Sequence, residues 1–446
     1  MRVYAPRPNS SANRNAKQVI GVEETAIERT IAAVWRIESA RLLGGLVRMV
    51  RDMRLAEDLA QDALVAALER WPEAGIPENP GAWLMAAAKN RAIDELRRRQ
   101  LLERKHEVIG ADASAGLLHE APESEMAFDE DVGDDLLRLV LITCHPVLSA
   151  EARVALTLRL LGGLTTDEIA RAFLVPEPTI AQRIVRAKRT LAEARVPFEV
   201  PRGADLSARL PSVFEVVYLI FNEGYTATRG DKWMRAELCE DAMRLGRILA
   251  GLLPGEAEVH GLVALMELHA SRMHARLGPG GEPVLLLDQD RSRWDQLLIR
   301  RGLAAFARAE SLARPLGSYT IQAAIAACHA RARSGNETDW HRIVALYDAL
   351  AELTQSPVVE LNRAVAVSMA SGPAAGLELV DALLEEPALS TYHLLPSVRG
   401  DLLWRLGRLD EARTEFERAA SLAQNSQERE LLLARAGKRG AWSTDA

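Results

Sequence analysis

The chain has 446 residues and a formal net charge of −7, is rich in Ala, Leu, Arg and Glu, and holds only 5% aromatics. That length suits roughly two to four domains, and that composition favours an all-α protein. No apolar run approaches the length of a membrane span. Cys144, Cys239 and Cys328 show no paired metal spacing, so they read as reduced core thiols of a cytoplasmic protein.

In chain order, residues 1–22 are polar and lack the apolar core of a signal peptide, which predicts a disordered leader. Residues 23–105 carry apolar positions at helical spacing, with Ile31, Val34 and Trp35 followed by Leu42, Leu46 and Val50. Within them, AEDLAQDALVAALERW reads as an amphipathic helix with Glu57, Asp58, Gln61 and Asp62 on its early turns. A loop over Pro72–Gly81 follows, then a helix over about Ala82–Arg99 that ends in a dense basic cluster. Residues 106–133 are acidic and aperiodic, as expected of a flexible tether extended by its own charge. Residues 111–135 hold nine Asp or Glu and no Lys or Arg. The negative sum therefore leaves local basic patches free to meet phosphate.

Residues 134–198 form a second helical domain, and GGLTTDEIARAFLVPEPTIAQRIVRAKRTLAE (162–193) within it has the build of a helix-turn-helix. Thr165 and Glu168 are spaced as a capping box. Ile169, Ala170 and Phe173 mark the apolar side of a short helix, and Pro176 breaks it. A second helix opens with Pro178 in its first turn and buries Ile180 and Ile184 on one face. Its remaining positions include Thr179, Gln182, Arg183, Arg186, Lys188 and Arg189, a set suited to the major groove of duplex DNA.

These two blocks, in this order, resemble the sigma two and sigma four domains of extracytoplasmic-function (ECF) sigma factors of bacterial RNA polymerase. The resemblance implies a non-enzymatic function: binding core RNA polymerase and directing initiation at specific promoters. It implies a polymerase-clamp role for Asp58, Gln61 and Asp62. It implies minus-10 contacts for Lys89, Asn90, Arg91, Arg97, Arg98 and Arg99, with the preceding loop, about Glu73–Asn79, capturing a flipped base. Trp83 lies beside Leu84 and reads as core rather than as a stacking platform. At minus-35, Gln182 and Arg183 are the expected base readers, and Arg186, Lys188 and Arg189 the phosphate anchors. Leu174 stands where many sigma four domains have Gly. Leucine disfavours positive φ, which predicts a slightly different turn.

Residues 199–446 read as a helical extension that ordinary ECF sigma factors lack, divided into a connecting domain (199–300) and helical repeats (301–446). GDLLWRLGRLDEARTEFERAASLAQ (400–424) is similar to a tetratricopeptide repeat, about 34 residues long with small residues where its two helices touch. Gly400, Gly407, Ala412, Phe416 and Ala419 occupy the pattern positions. Residues 362–386 are a weaker copy with Gly372 and Pro373 in the turn, and 339–353 and 303–317 read as single repeat helices. Such stacks present concave surfaces to partners, so a regulatory protein is an expected further partner beside polymerase and promoter DNA.

The extension resembles that of one ECF group, most recognisably in FNEGY: Phe221, Asn222, Glu223, Gly224 and Tyr225. Two readings stand there. Glu223, Arg229 and Asp231 form a polar network that clamps the extension and regulates activity in cis, or Gly224 ends a helix over a buried polar staple. No catalytic or metal motif is present. His269 and His274 are five apart, a spacing that does not put two ligands on one helix face, and no cofactor is expected. The alternative function is a one-component helix-turn-helix regulator with a repeat-built sensor, and a scaffold is a third reading. The 54–105 block separates the first two, because a simple regulator has no use for a clamp-docking helix.

Overall fold

A computed structural model describes the backbone of residues 12–110 and 132–437 apart from 229, 231 and 313, with side chains described from residue 27 and not for 100, 102–110, 132 and 133. The expected network residues Arg229 and Asp231 and most of the expected linker therefore lie outside the described residues. Among those described, the secondary structure is α-helix joined by turns and short 3-10 segments, with two isolated β-bridges and no strands. The chain divides into two compact units, residues 1–169 with 177–213, and residues 170–176 with 214–446.

The first unit opens with α1 (Ala12–Val50), α2 (Met53–Ala74) and α3 (Pro80–Gly110). Arg51 at φ 51° breaks the chain between α1 and α2. Asp52 then caps α2, accepting from the backbone N–H groups of Arg54 and Leu55 at 2.9 and 3.1 Å. Alanines 56, 60, 63, 66 and 67 form the buried face of α2, with Leu59 and Trp71, which lets α1 and α3 pack closely on it. Next come α4 (Val132–Thr143), α5 (Ala150–Leu160), α6 (Thr166–Phe173), whose residues from 170 belong to the second unit, and α7 (Glu177–Glu193). α4 packs on α1, and α5 packs on α4 and α7.

Three boundaries differ from the sequence expectation. Helix α1 begins at Ala12, inside the expected leader. Helix α2 continues through Pro72, which sits in its last turn and removes one backbone bond there, and it closes at Gly75 (φ 85°), whose N–H donates to Trp71 O at 3.0 Å. The loop is thus only 75–79, and Asn79 caps α3 by accepting from Ala82 N at 3.0 Å. Helix α3 runs to Gly110, beyond Arg99 and into the expected linker.

The second unit takes up α8 (Ala204–Tyr225) from residue 214 and continues through α9 (Ala236–Leu252), α10 (Ala257–Ala270), α11 (Gln296–Leu312), α12 (Ser318–Arg331) and α13 (Trp340–Thr354). It ends with α14 (Pro357–Ser371), α15 (Pro373–Ala382), α16 (Leu394–Arg405), α17 (Leu409–Leu422) and α18 (Ser426–Gly437). From α12 onward each helix packs on the next, as in a stack of helical repeats. In the pair α16–α17, a Cβ added at Gly400 would lie 3.0 Å from the Phe416 ring. Gly407 turns the chain at φ 77°, and Ala412, Phe416 and Ala419 are buried. Gly372 at φ 97° and Pro373 make the α14–α15 turn as the sequence predicts. The end of this unit returns to its beginning: the buried Asn425 side chain donates to Ala227 O at 3.1 Å and Lys232 O at 2.9 Å.

Candidate nucleic-acid interface

The capping box forms as written. Thr165 N donates to Glu168 Oε2 at 2.7 Å, and Glu168 N donates to Thr165 Oγ1 at 3.1 Å. Ile169 and Ala170 are buried beneath α6, while Phe173 is half-buried. Leu174 takes φ 51°, the left-handed conformation that glycine adopts at little cost. Its side chain lies against Gly230, where an added Cβ would come within 2.5 Å of Leu174 Cδ1. The turn therefore keeps the left-handed geometry despite leucine, against the expectation of an altered turn.

Helix α7 buries Ile180, Ile184, Ala187 and Leu191. That fixes its opposite side. Thr179, Gln182, Arg186 and Arg189 are all exposed, and their three- and four-residue steps put them on one face. Val185 joins this face at 65% exposure, a residue that polar-pattern reading passes over. Two predicted members are placed differently. Arg183 is half-buried, close enough to Glu151 to help hold that carboxyl below its usual range, after the backbone and Ser149 hydrogen bonds. Lys188 pairs with Glu57 on α2, both side chains being largely covered. Arg189 is bonded to Glu193 at 2.6 Å within its own helix.

On α2, Asp58 and Asp62 are exposed and Gln61 is half-buried beside the cleft lined by Trp35, Ser39, Leu43, Glu57, Ala60 and Arg159. Asp62 reaches Arg91 of α3 at 3.7 Å, which joins one expected polymerase contact to one expected minus-10 contact. Asn90, Arg97, Arg98 and Arg99 are exposed, Lys89 is half-buried, and Arg99 bonds to Glu95 at 3.2 Å. Trp83 meets Trp71 edge-on at 5.4 Å, a packing contact in keeping with its reading as core.

In FNEGY, Phe221 is buried and stacks on Tyr225 at 5.6 Å, while Asn222 is exposed. Gly224 does not terminate the helix in a left-handed turn. It is a close-approach glycine: an added Cβ would lie 2.7 Å from Cys239 N and 2.9 Å from Arg235 O. Glu223 pairs with Arg235 at the start of α9 and accepts from Thr228 Oγ1 at 2.8 Å. Among the described residues, no group of three or more His, Cys, Asp or Glu could hold a metal ion, and no helix is long and apolar enough to cross a membrane.

Comparison with known proteins bears on each segment. Residues 37–101 match the family described as Sigma-70 region 2, and residues 138–191 match Sigma-70, region 4. Residues 209–310 match a family of unknown function. An uncharacterized protein of Rhizobium meliloti is 45% identical over 389 residues, covering 86% of this chain and 90% of that one. The RNA polymerase sigma-H factor of Pseudomonas aeruginosa is 30% identical over 166 residues, 35% of this chain and 81% of that protein. The ECF RNA polymerase sigma factor SigL of Mycobacterium tuberculosis is 30% identical over 146 residues, 32% of this chain and 77% of its own. No solved structure matches.

Proposed function

This chain belongs to the ECF sigma factors of RNA polymerase, and from that membership we propose that it binds core polymerase through α2 and reads promoter DNA through α3 and α7, with residues 199–446 regulating it in cis. The observation that carries the reading is the exposed α7 face, Thr179, Gln182, Val185, Arg186 and Arg189, which follows a capped α6 in the chain. Gln182 offers an amide to a base edge, and Val185 an apolar contact suited to a thymine methyl. Arg186 and Arg189 are phosphate anchors, and Arg183 reaches a base by turning from Glu151. The exposed Asn90, Arg97, Arg98 and Arg99, with Lys89 and Arg91, form the single-strand side. Asp58, Gln61 and Asp62 present short polar groups to the polymerase clamp.

The region 2 match favours this reading over a one-component regulator, which needs no such domain. The helix stack of the second unit supports a regulatory partner surface in the tetratricopeptide manner. The test is run-off transcription with core polymerase on a promoter selected from random sequence. Transcripts that depend on both the chain and core polymerase are expected. DNA binding without any polymerase dependence favours the one-component regulator instead.

A further inference from the structure

The second unit holds a cationic patch for which the sigma-factor reading has no use. It gathers around the ends of α8 and α10, the loop before α11, and α12. Three arginines converge there. Arg276 stacks on Tyr225, its guanidinium carbon 3.7 Å from the ring centroid, and donates to Tyr225 O and to Thr226 Oγ1. Arg291 lies over Trp294 at 4.7 Å and donates to His329 O at 2.6 Å and Ala332 O at 2.8 Å. Arg272 stands between the two rings, 5.9 Å from the centroids of both Tyr225 and Trp294.

The partners of these groups are unbalanced. Among the described residues, no carboxylate comes within salt-bridge distance of Arg272, Arg276 or Arg291. Buried Arg272 Nε, Trp294 Nε1 and His329 Nδ1 have no hydrogen-bond partner. Buried donors are normally satisfied, and a desolvated guanidinium without an acceptor is costly. The histidines add no compensating charge. Burial first, then Arg272 and Arg276, holds His269 well below its ordinary value, and burial with Arg272 and Arg291 brings His329 to about 3.

The patch is also partly open to solvent. Tyr225, His269, Arg272 and Tyr347 each keep part of their surface open to solvent. Surrounding protein nevertheless desolvates His269 and Tyr347 strongly, pushing the Tyr347 phenol up to about 12. Positive charge and unpartnered donors beside partly open side chains are the chemistry of a ligand site.

We propose that this patch, centred on Arg272 between Tyr225 and Trp294, binds a small organic anion, its carboxylate or phosphate group meeting the unpartnered arginine and indole donors. The guanidinium fork matches both oxyanions. The site lies in the extension alone and stands whether or not the extension regulates transcription.

The test is calorimetric titration of the full chain with benzoate, phenyl phosphate and the neutral isostere benzamide. Saturable one-to-one binding of at least one anion, with benzamide inert, is expected, and the tighter anion tells carboxylate from phosphate. Arg272→Gln should weaken that binding at least tenfold. Trp294→Phe, which keeps the ring and removes the indole N–H, should weaken it severalfold. Thermal melts confirm that each variant is folded, and if Arg272→Gln is not, Trp294→Phe carries the test. Absence of saturable anion binding to the wild-type chain overturns the proposal, as does benzamide binding equal to benzoate or unchanged affinity in the folded variants.

Discussion

The Lys188 ammonium on α7 and the Glu57 carboxylate on α2 form an ion pair, with the side chains only 24% and 14% exposed. A lysine expected at DNA phosphate is thus held by the helix expected at polymerase. In the free chain it contributes little to phosphate affinity. Lys188→Ala should leave the salt dependence of duplex binding unchanged. In a Glu57→Gln background, where the ammonium is released, the same substitution should lower the slope by about one unit. Anisotropy titrations across salt concentrations measure this. A one-unit drop from Lys188→Ala alone shows that the pair opens on DNA and defeats the prediction.

The α7 face predicts a division of labour. Gln182→Ala should relax selectivity at one or two minus-35 positions, by about 1–3 kcal/mol per lost bidentate contact. Arg186→Ala should weaken all sequences alike and reduce the salt slope by about one unit. Arg183→Ala should affect selectivity less than Gln182→Ala, because its guanidinium is half-buried near Glu151. Binding to randomised minus-35 duplexes reads all three, and identical selectivity profiles for Gln182→Ala and Arg186→Ala contradict the assignment.

Asp58 is exposed, so reversing its charge leaves the core of α2 intact. Asp58→Lys combined with Asp62→Lys should reduce affinity for core polymerase by about tenfold or more, or roughly 1.4 kcal/mol, with an unchanged circular dichroism melt. Equal co-purification of variant and wild type with core enzyme removes α2 from the clamp.

Gly224 admits the backbone of Arg235 and Cys239 within 3 Å of where a Cβ would stand. Gly224→Ala should therefore force α8 and α9 apart and destabilise the second unit by about 1–3 kcal/mol, the range for overpacking. Glu240→Ala, on the exposed side of α9, should be near neutral. Urea unfolding compares the two, and equal midpoints would falsify the close-approach role.

His329 is buried, with its folded value near 3, and His269 is likewise depressed. Their ordinary value is about 6.5, so below that pH the unfolded chain binds protons that the native chain refuses. For His329 the stability is fully present above about pH 6.5 and is lost as pH falls toward 3, at up to about 1.4 kcal/mol per pH unit, and His269 acts in the same direction. His329→Phe should flatten the decline in urea midpoint between pH 6.5 and 4.5. An equally steep decline in the variant assigns it to other groups.

Much of the helical architecture was written locally. The Thr165–Glu168 box, the Gly372–Pro373 turn and the small residues of α16–α17 appear in the structure where the sequence places them. Each depends on residues a few positions apart, so backbone conformation and side-chain spacing decide it. The apolar period of α7 likewise determined which of its polar residues face outward, apart from Arg183 and Lys188.

Tertiary structure decided the rest, because it depends on which helices meet. Nothing in the spacing of Lys188 announces Glu57, 131 positions away. Gly224 looked like a helix terminator, since the same residue serves either a left-handed turn or a close backbone approach, and only the position of α9 distinguishes them. The patch around Arg272 draws on Tyr225, Trp294 and His329, scattered over about a hundred residues in which each cation looks like an ordinary surface arginine. Only the packing of α8, α10 and α12 brings them together, with no carboxylate among the described residues to pair with them, and that imbalance is a property of the folded chain alone.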